Sequence, residues 1–249
     1  MKNIQIFLTP AAGKRLIAKA IAAREDVQDA VMNHTVVVIK GTTNAYLAEE
    51  LLAGIGVADF DKRGFYRGVV KSPDAKSAVP VQEHDVVIEK GKYVTGKTIF
   101  DVVGDLRNGD MIFKGANAVN LEEGTAGILI GDPMSGTVGA AHNASVGKRV
   151  QLIHPVGVEK RVDLPMKELA EICNDPEGKG PGLFVSTGAI YTEIEALYDL
   201  CGVDAYILAA GGVAGCEGGC FFVCEGEDDE LEMCREVVKL VAGTPPYEI

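Results

Sequence analysis

The run Thr35-Val36-Val37-Val38-Ile39, followed at once by Lys40-Gly41-Thr42-Thr43-Asn44, restricts this chain more than any other feature. Consecutive β-branched residues fit a parallel strand covered on both faces better than a half-exposed antiparallel one. The glycine-bearing polar turn leads into Leu47, Leu51, Leu52 and Ile55 at helical spacing, and Gly54 and Gly56 mark the end of that helix. A strand–turn–helix unit of this kind commits the chain to an α/β architecture. The expected fold is a largely parallel, Rossmann-like sheet with helices on both faces.

The flanking patterns extend this reading. Residues 3–8 form a strand running into a helix, with Thr9 as its cap and Pro10 in its first turn. Leu16, Ile17, Ala20 and Ile21 make that helix's apolar face, which leaves Lys14, Lys19 and Arg24 toward solvent. The middle of the chain predicts short strands at 65–70, 85–90, 110–114, 127–130 and 149–154, and helices over 98–106 and 136–146. Residues 155–167 read as a connector. From Gly182 the pattern is strand 183–185, helix 187–201, strand 204–209, a glycine-rich turn 211–219, strand 220–224 and helix 228–241. That order resembles most of a ferredoxin-like unit. Two domains are expected: an α/β anion- or metabolite-binding domain over residues 1–165 and a C-terminal α+β, ferredoxin-like subdomain over 182–249.

Composition removes some functions. The net charge is -12 and the densest basic stretches are the pairs Lys14-Arg15 and Lys148-Arg149, so a nucleic-acid partner is not expected. No stretch approaches the roughly 20 apolar residues that span a bilayer. Residues 4–8 are too short for a signal-peptide core, so no membrane partner and a cytoplasmic location are expected. All six cysteines lie in the last third. Cys216, Cys220 and Cys224 have a spacing that invites zinc or an iron–sulfur cluster. On a strand, however, Cys220 and Cys224 would share a face about 13 Å apart, and buried cysteines also serve as small apolar residues. No metal ligand set is assigned and no cofactor is named. Glycine-rich and cysteine-bearing edges suggest a homo-oligomer.

Several motifs carry candidate chemistry. Lys40, Gly41, Thr42, Thr43 and Asn44 sit where a strand ends and a helix begins. There unpaired amides and a partial positive charge seat an anion. The competing reading is that Thr42 or Thr43 only caps the helix. Lys114, Gly115, Ala116 and Asn117 end another strand, Lys114 as a counter-charge and Asn117 as a hydroxyl partner, unless they are merely a surface loop. Asp132 and His142 offer an acid/base pair or two unrelated loop residues. Residues 211–219 offer a backbone cradle, a flap or a plain hairpin loop. Ser186 and Thr187 open a further turn, and Glu193 beyond it becomes a general base if buried.

Residues 11–52, reading helix, strand, Gly-Thr-Thr, helix, resemble the opening of a superfamily of phosphate- and acyl-handling proteins. It includes ribose-5-phosphate isomerase, glucosamine-6-phosphate deaminase, the CoA transferases and the sugar-phosphate sensor domains of DeoR-type repressors. The resemblance implies that Gly41, Thr42 and Thr43 hold a ligand's phosphate. The stretch 110–117, then Gly124-Thr125 and Gly147-Lys148-Arg149 entering a strand, is similar to the sensor domains and brings in Lys148. Lys114, Asn117 and Ala118 stand where the isomerase pattern carries carboxylates, and Glu122 and Glu123 match only by position. The CoA transferases' nucleophile motif, the repressors' DNA-binding helices and any counterpart of the chain beyond Gly182 are not found.

Two functions remain. One is binding, as sensing or storage, of a small phosphorylated or carboxylated metabolite without convincing catalytic acids. The other is a sugar-phosphate isomerase, lyase or acyl-CoA transferase using Glu122, Glu123 or Glu193 as base with Lys114 as electrostatic partner. A cysteine-dependent redox or metal protein is a weaker third.

Overall fold

A computed structural model describes residues 2–67, 74 and 76–249. At its centre lies strand β2 (Thr35–Val38). Val36 and Val38 pack into one core cluster, and Val37 and Ile39 into another on the opposite face. This two-sided burial is what an unbroken β-branched run requires. Strands β5 (Met111–Phe113), β8 (Gln151–Pro155) and β10 (Ala189–Tyr191) continue the sheet in parallel on one side of β2. On the other side β3 (Val86–Glu89) and β4 (Lys92–Val94) are antiparallel, so the order is β10-β8-β5-β2-β3-β4. Lys90 and Gly91, both with positive φ, form the two-residue link between β3 and β4 that suits the twist of a hairpin. The result is a mixed α/β protein with a parallel core.

Helices cover both faces. Helix α1 (Pro10–Ala23) and α3 (Thr42–Gly54) lie on the side of Val36 and Val38. The short α4 (Ile99–Val102) and α5 (Gly136–Lys148) lie on the other, where Ala141 and Ala144 let the helix approach the sheet closely. Thr9 caps α1 through its Oγ1, which accepts from Ala12 N at 3.1 Å, and Pro10 occupies the first turn. Leu16, Ile17, Ala18 and Ile21 are all buried, because α1 packs on α3, on α7 (Glu193–Cys201) and on α8 (Asp228–Ala242) at once.

Two smaller sheets complete the fold. Strand β1 (Lys2–Leu8) pairs antiparallel with β12 (Gly219–Gly226), which pairs with β11 (Asp204–Gly211). Ile6, Leu8, Cys220, Phe222 and Cys224 form its inner face. Strands β6 (Ala118–Asn120), β7 (Thr125–Ile130) and β9 (Gly182–Ser186) form the third sheet, with α6 (Met166–Cys173) packed on it.

Three strand pairings cross the division expected between residues 165 and 182: β1 with β12, β8 with β10, and β7 with β9. The C-terminal β-α-β-β-α order is therefore distributed over three sheets and does not close on itself. The helix expected over 187–201 starts as strand β10, and Thr192 then caps α7 in a reciprocal box with Glu195. Helix α2 (Glu25–Asn33) follows an extended Arg24 and was not anticipated, nor were β4, β6 and α6. Residues 68–70 of the strand expected at 65–70 lie outside the described residues, and Phe65 follows a 3-10 turn at Lys62–Gly64. Among the described residues no helix is long and apolar enough to cross a membrane.

Candidate anion-binding site

In a parallel core every strand delivers its next residues to the same edge, the edge where ligands bind in open α/β sheets. Here β2 delivers Lys40 and Gly41, β5 delivers Lys114 and Gly115, and β10 delivers Glu193. Beyond β8 comes a 3-10 turn, Val158–Lys160. The N-termini of α3 and α7 lie at this edge with them.

Gly41 is the N-cap of α3, in extended backbone, and no side chain caps the helix. Thr42 and Thr43 are its first helical residues, so neither fills the capping role that a purely structural turn would give them. Among the described residues a Cβ on Gly41 would meet nothing within 4 Å, and one on Gly115 would meet only Pro155 O at 3.9 Å. No described residue therefore fills the space in front of either turn. Behind them Asn44 is buried. Its Nδ2 donates to Ile39 O at 2.7 Å and to Phe113 O at 2.9 Å, which clamps the ends of β2 and β5 together. Its Oδ1 has no partner among the described residues.

Lysines gather here. Lys40 N donates to Asp85 Oδ1 at 3.0 Å, and its Nζ reaches Gln82 O. Burial, then Arg67, lowers its pKa. Lys114 is half-buried and, among the described residues, its Nζ donates only to Gly115 O, at 3.3 Å. Burial, then the neighbouring charges of Arg67 and Lys160, brings its pKa down to about 8. Lys160 Nζ donates to Ala116 O at 3.1 Å. Lys14 does not face solvent as its helical position predicts. It is half-buried toward Lys160, Glu159 and Glu193, and burial lowers its pKa. It also lines a cavity of about 190 Å³ under Gly215 and Glu217 of the glycine-rich loop.

Glu193 is 3% exposed and accepts from Val158 N at 2.9 Å. Burial first, then the Glu159 charge, pushes its pKa up to about 8. Gly13 of α1 is what makes room for it, since a Cβ there would overlap Glu193 Oε1. His154 supports the edge from below. Burial lowers its pKa to about 4, so the ring is neutral. With Lys114 O as the partner of Nδ1 at 2.5 Å, that nitrogen carries the proton, and Nε2 accepts from Ser186 Oγ at 2.7 Å.

Lys40, Gly41, Thr42, Thr43, Asn44, Lys114, Gly115 and Ala116 thus lie at one edge, with Glu193 beside them. The other candidates lie elsewhere. Lys148 is at the opposite end of β8 and donates to Val103 O at 2.8 Å and to Gly104 O, holding the end of α4. Asn117 Oδ1 accepts from Leu129 N at 3.0 Å and so stitches β7 to the start of β6. Glu122 is exposed on the β6–β7 turn. Glu123 accepts from Met166 N at 2.9 Å, which anchors α6. Asp132 accepts from Met134 N at 2.8 Å, whereas His142 lies 3.5 Å from Thr187 Oγ1, so the two form no pair. Cys220 and Cys224 do share the inner face of β12. Among the described residues no group of three or more His, Cys, Asp or Glu is placed to hold a metal ion. Lys14, Lys160, Asp85 and His154 were missed. Lys160 alone had a usable signal, since it follows a strand whose parallel pairing would have placed it at the ligand edge.

No protein-family model, no curated protein and no solved structure matches this chain.

Proposed function

We propose that this protein binds a small phosphorylated or carboxylated metabolite at the carboxyl edge of its parallel strands. The turn at Gly41–Thr43, half-buried at Gly41 and Thr42 and closed off at the buried Thr43, is the seat, and Lys40, Lys114, Lys160 and Lys14 supply the counter-charge. The observation that carries this is a concentration of lysines around an uncapped helix start in a chain of net charge -12. Lys14 and Lys114 have their pKa values lowered there, by burial first, even though Glu159 and Glu193 act on Lys14, and Asp85 on Lys114, as opposite charges. Clustered cations repel one another and lose hydration, so the arrangement costs stability until an anion arrives. On this reading the parallel core acts in the Rossmann-like manner, with the guest's charge at a helix N-terminus.

The test is thermal unfolding with inorganic phosphate and a series of sugar phosphates and carboxylates. A guest at a hundred times its Kd stabilises the fold by about 2.7 kcal/mol. Gly41→Val adds a side chain where no described atom lies within 4 Å, so it should cost the unliganded fold no more than the lost N-cap preference, about 1 kcal/mol, and abolish the ligand-induced rise. No rise with any anion, or an equal rise in Gly41→Val, refutes the proposal.

A second reading, catalysis, is favoured by one observation: Glu193 is a buried carboxyl of raised pKa facing Lys14 and Lys160. A group with its pKa near neutrality suits proton transfer on a bound anion. Turnover that is lost in Glu193→Gln while binding persists would establish it.

A further inference from the structure

We infer that Lys114 is a carbonyl-trapping amine, forming an imine with an aldehyde or ketone group of the anionic guest. This rests on the anion-site proposal and adds covalent chemistry to it. Lys114 ends β5, the strand between β2 and β8 in the parallel core. Its backbone is held on both sides: its N donates to Ile153 O at 2.9 Å, and its O accepts from His154 Nδ1 at 2.5 Å. His154 is in turn held by Ser186, on a strand of a different sheet. Two sheets therefore fix where the side chain starts.

The amine at its end is under-used. Among the described residues Nζ hydrogen-bonds only to Gly115 O, at 3.3 Å, and Asp85 acts on it as a nearby opposite charge without a hydrogen bond. Lys40 and Lys160 each have one carbonyl partner as well, Gln82 O and, at 3.1 Å, Ala116 O, but in both that partner is distant in sequence and holds the side chain across the fold, whereas Gly115 O is the next residue along the chain. Gly115 next to it has no side chain, and among the described residues a Cβ there would meet only Pro155 O, at 3.9 Å. Burial together with Arg67 and Lys160 disfavours the ammonium form and leaves a free-base fraction near neutral pH. Desolvation and a second cation are the two means by which proteins make a lysine nucleophilic.

The reaction needs no co-reactant beyond the guest. The lone pair of neutral Nζ attacks the carbonyl carbon, and a C–N bond forms as the C=O π pair moves to oxygen. Proton transfer from nitrogen to oxygen gives a carbinolamine. Loss of that oxygen as water leaves C=N, which is protonated to an iminium stabilised by the guest's own negative charge.

Glycolaldehyde phosphate joins an aldehyde to a phosphate and is a suitable probe. The full chain is treated with it and sodium cyanoborohydride, which reduces the imine to a stable secondary amine, and modified lysines are mapped by peptide mass spectrometry. Lys114 should be labelled about tenfold or more faster than exposed lysines such as Lys2 and Lys167, given its larger free-base fraction. Added inorganic phosphate should suppress that labelling, and propionaldehyde, lacking the anion, should show no preference for Lys114. In Lys114→Arg the labelling at this position should vanish with other lysines unchanged. The wild-type map stands as a test even where that variant does not fold. Labelling spread over exposed lysines with Lys114 not ahead overturns the inference, as does equal preference for Lys114 by propionaldehyde without protection by phosphate. Phosphate that raises the melting temperature while Lys114 stays unlabelled sinks the imine alone. Phosphate that does neither sinks the anion site as well.

Discussion

Replacing Glu193 by Gln should flatten part of the pH dependence of stability. Glu193 is 3% exposed and its pKa is pushed up to about 8 from an ordinary 4.5. Below the lower value the carboxyl is protonated in folded and unfolded chains alike, and it contributes no slope. Between about 4.5 and about 8 the unfolded chain has released its proton while the folded chain keeps it. The folded state then binds more protons, so stability falls as pH rises, by at most about 1.4 kcal/mol per pH unit. Charges at Lys14 and Lys160 oppose the effect, and that at Glu159 adds to it. The loss across the window is about 5 kcal/mol as an upper bound. Gln keeps an acceptor for Val158 N and has no proton to lose. Urea unfolding of both proteins from mildly acidic to mildly alkaline pH gives the stability difference at each pH. Glu193→Gln should gain on wild type steadily up to about pH 8 and hold a constant difference above it. A pH-independent difference would refute both the raised pKa and the use of Glu193 as a proton donor near neutrality.

Other outcomes follow from single contacts. Asn44→Ala leaves Ile39 O without its buried side-chain donor and takes one of two donors from Phe113 O, which keeps Ile39 N, and should cost about 2 kcal/mol in chemical unfolding. Gly13→Ala puts a methyl where Glu193 Oε1 sits, and should cost about 1–3 kcal/mol; an unchanged melting temperature would mean α1 and α7 are not packed this closely. Lys148→Met loses only carbonyl contacts at the end of α4, so it should leave phosphate-induced stabilisation intact. Lys114→Met should weaken it, and equal effects from the two would argue against a site confined to one edge. His154→Phe removes the donor to Lys114 O and should shift the pH dependence of Lys114 labelling, which a purely structural defect would not do.

The parts of this molecule legible in its sequence are those written in contiguous residues. The run at 36–39 is buried on both faces because each of its side chains is wholly apolar. Thr9 and Pro10 start a helix because the missing amide and the hydroxyl both serve the first turn. The strand–turn–helix unit around Gly41–Thr43, the proposed seat, belongs to the same class, since strand, glycine and helix are adjacent along the chain. Tertiary structure alone decided which strands meet. Pairing of β1 with β12 joins the two ends of the chain, and insertion of β10 beside β8 turned the start of an expected helix into a strand. Lys14 and Lys160 reach the site, and Lys148 leaves it, for the same reason. Local periodicity specifies which face of an element is apolar, whereas side-chain company depends on contacts between distant segments, whose free energy no short window of sequence contains.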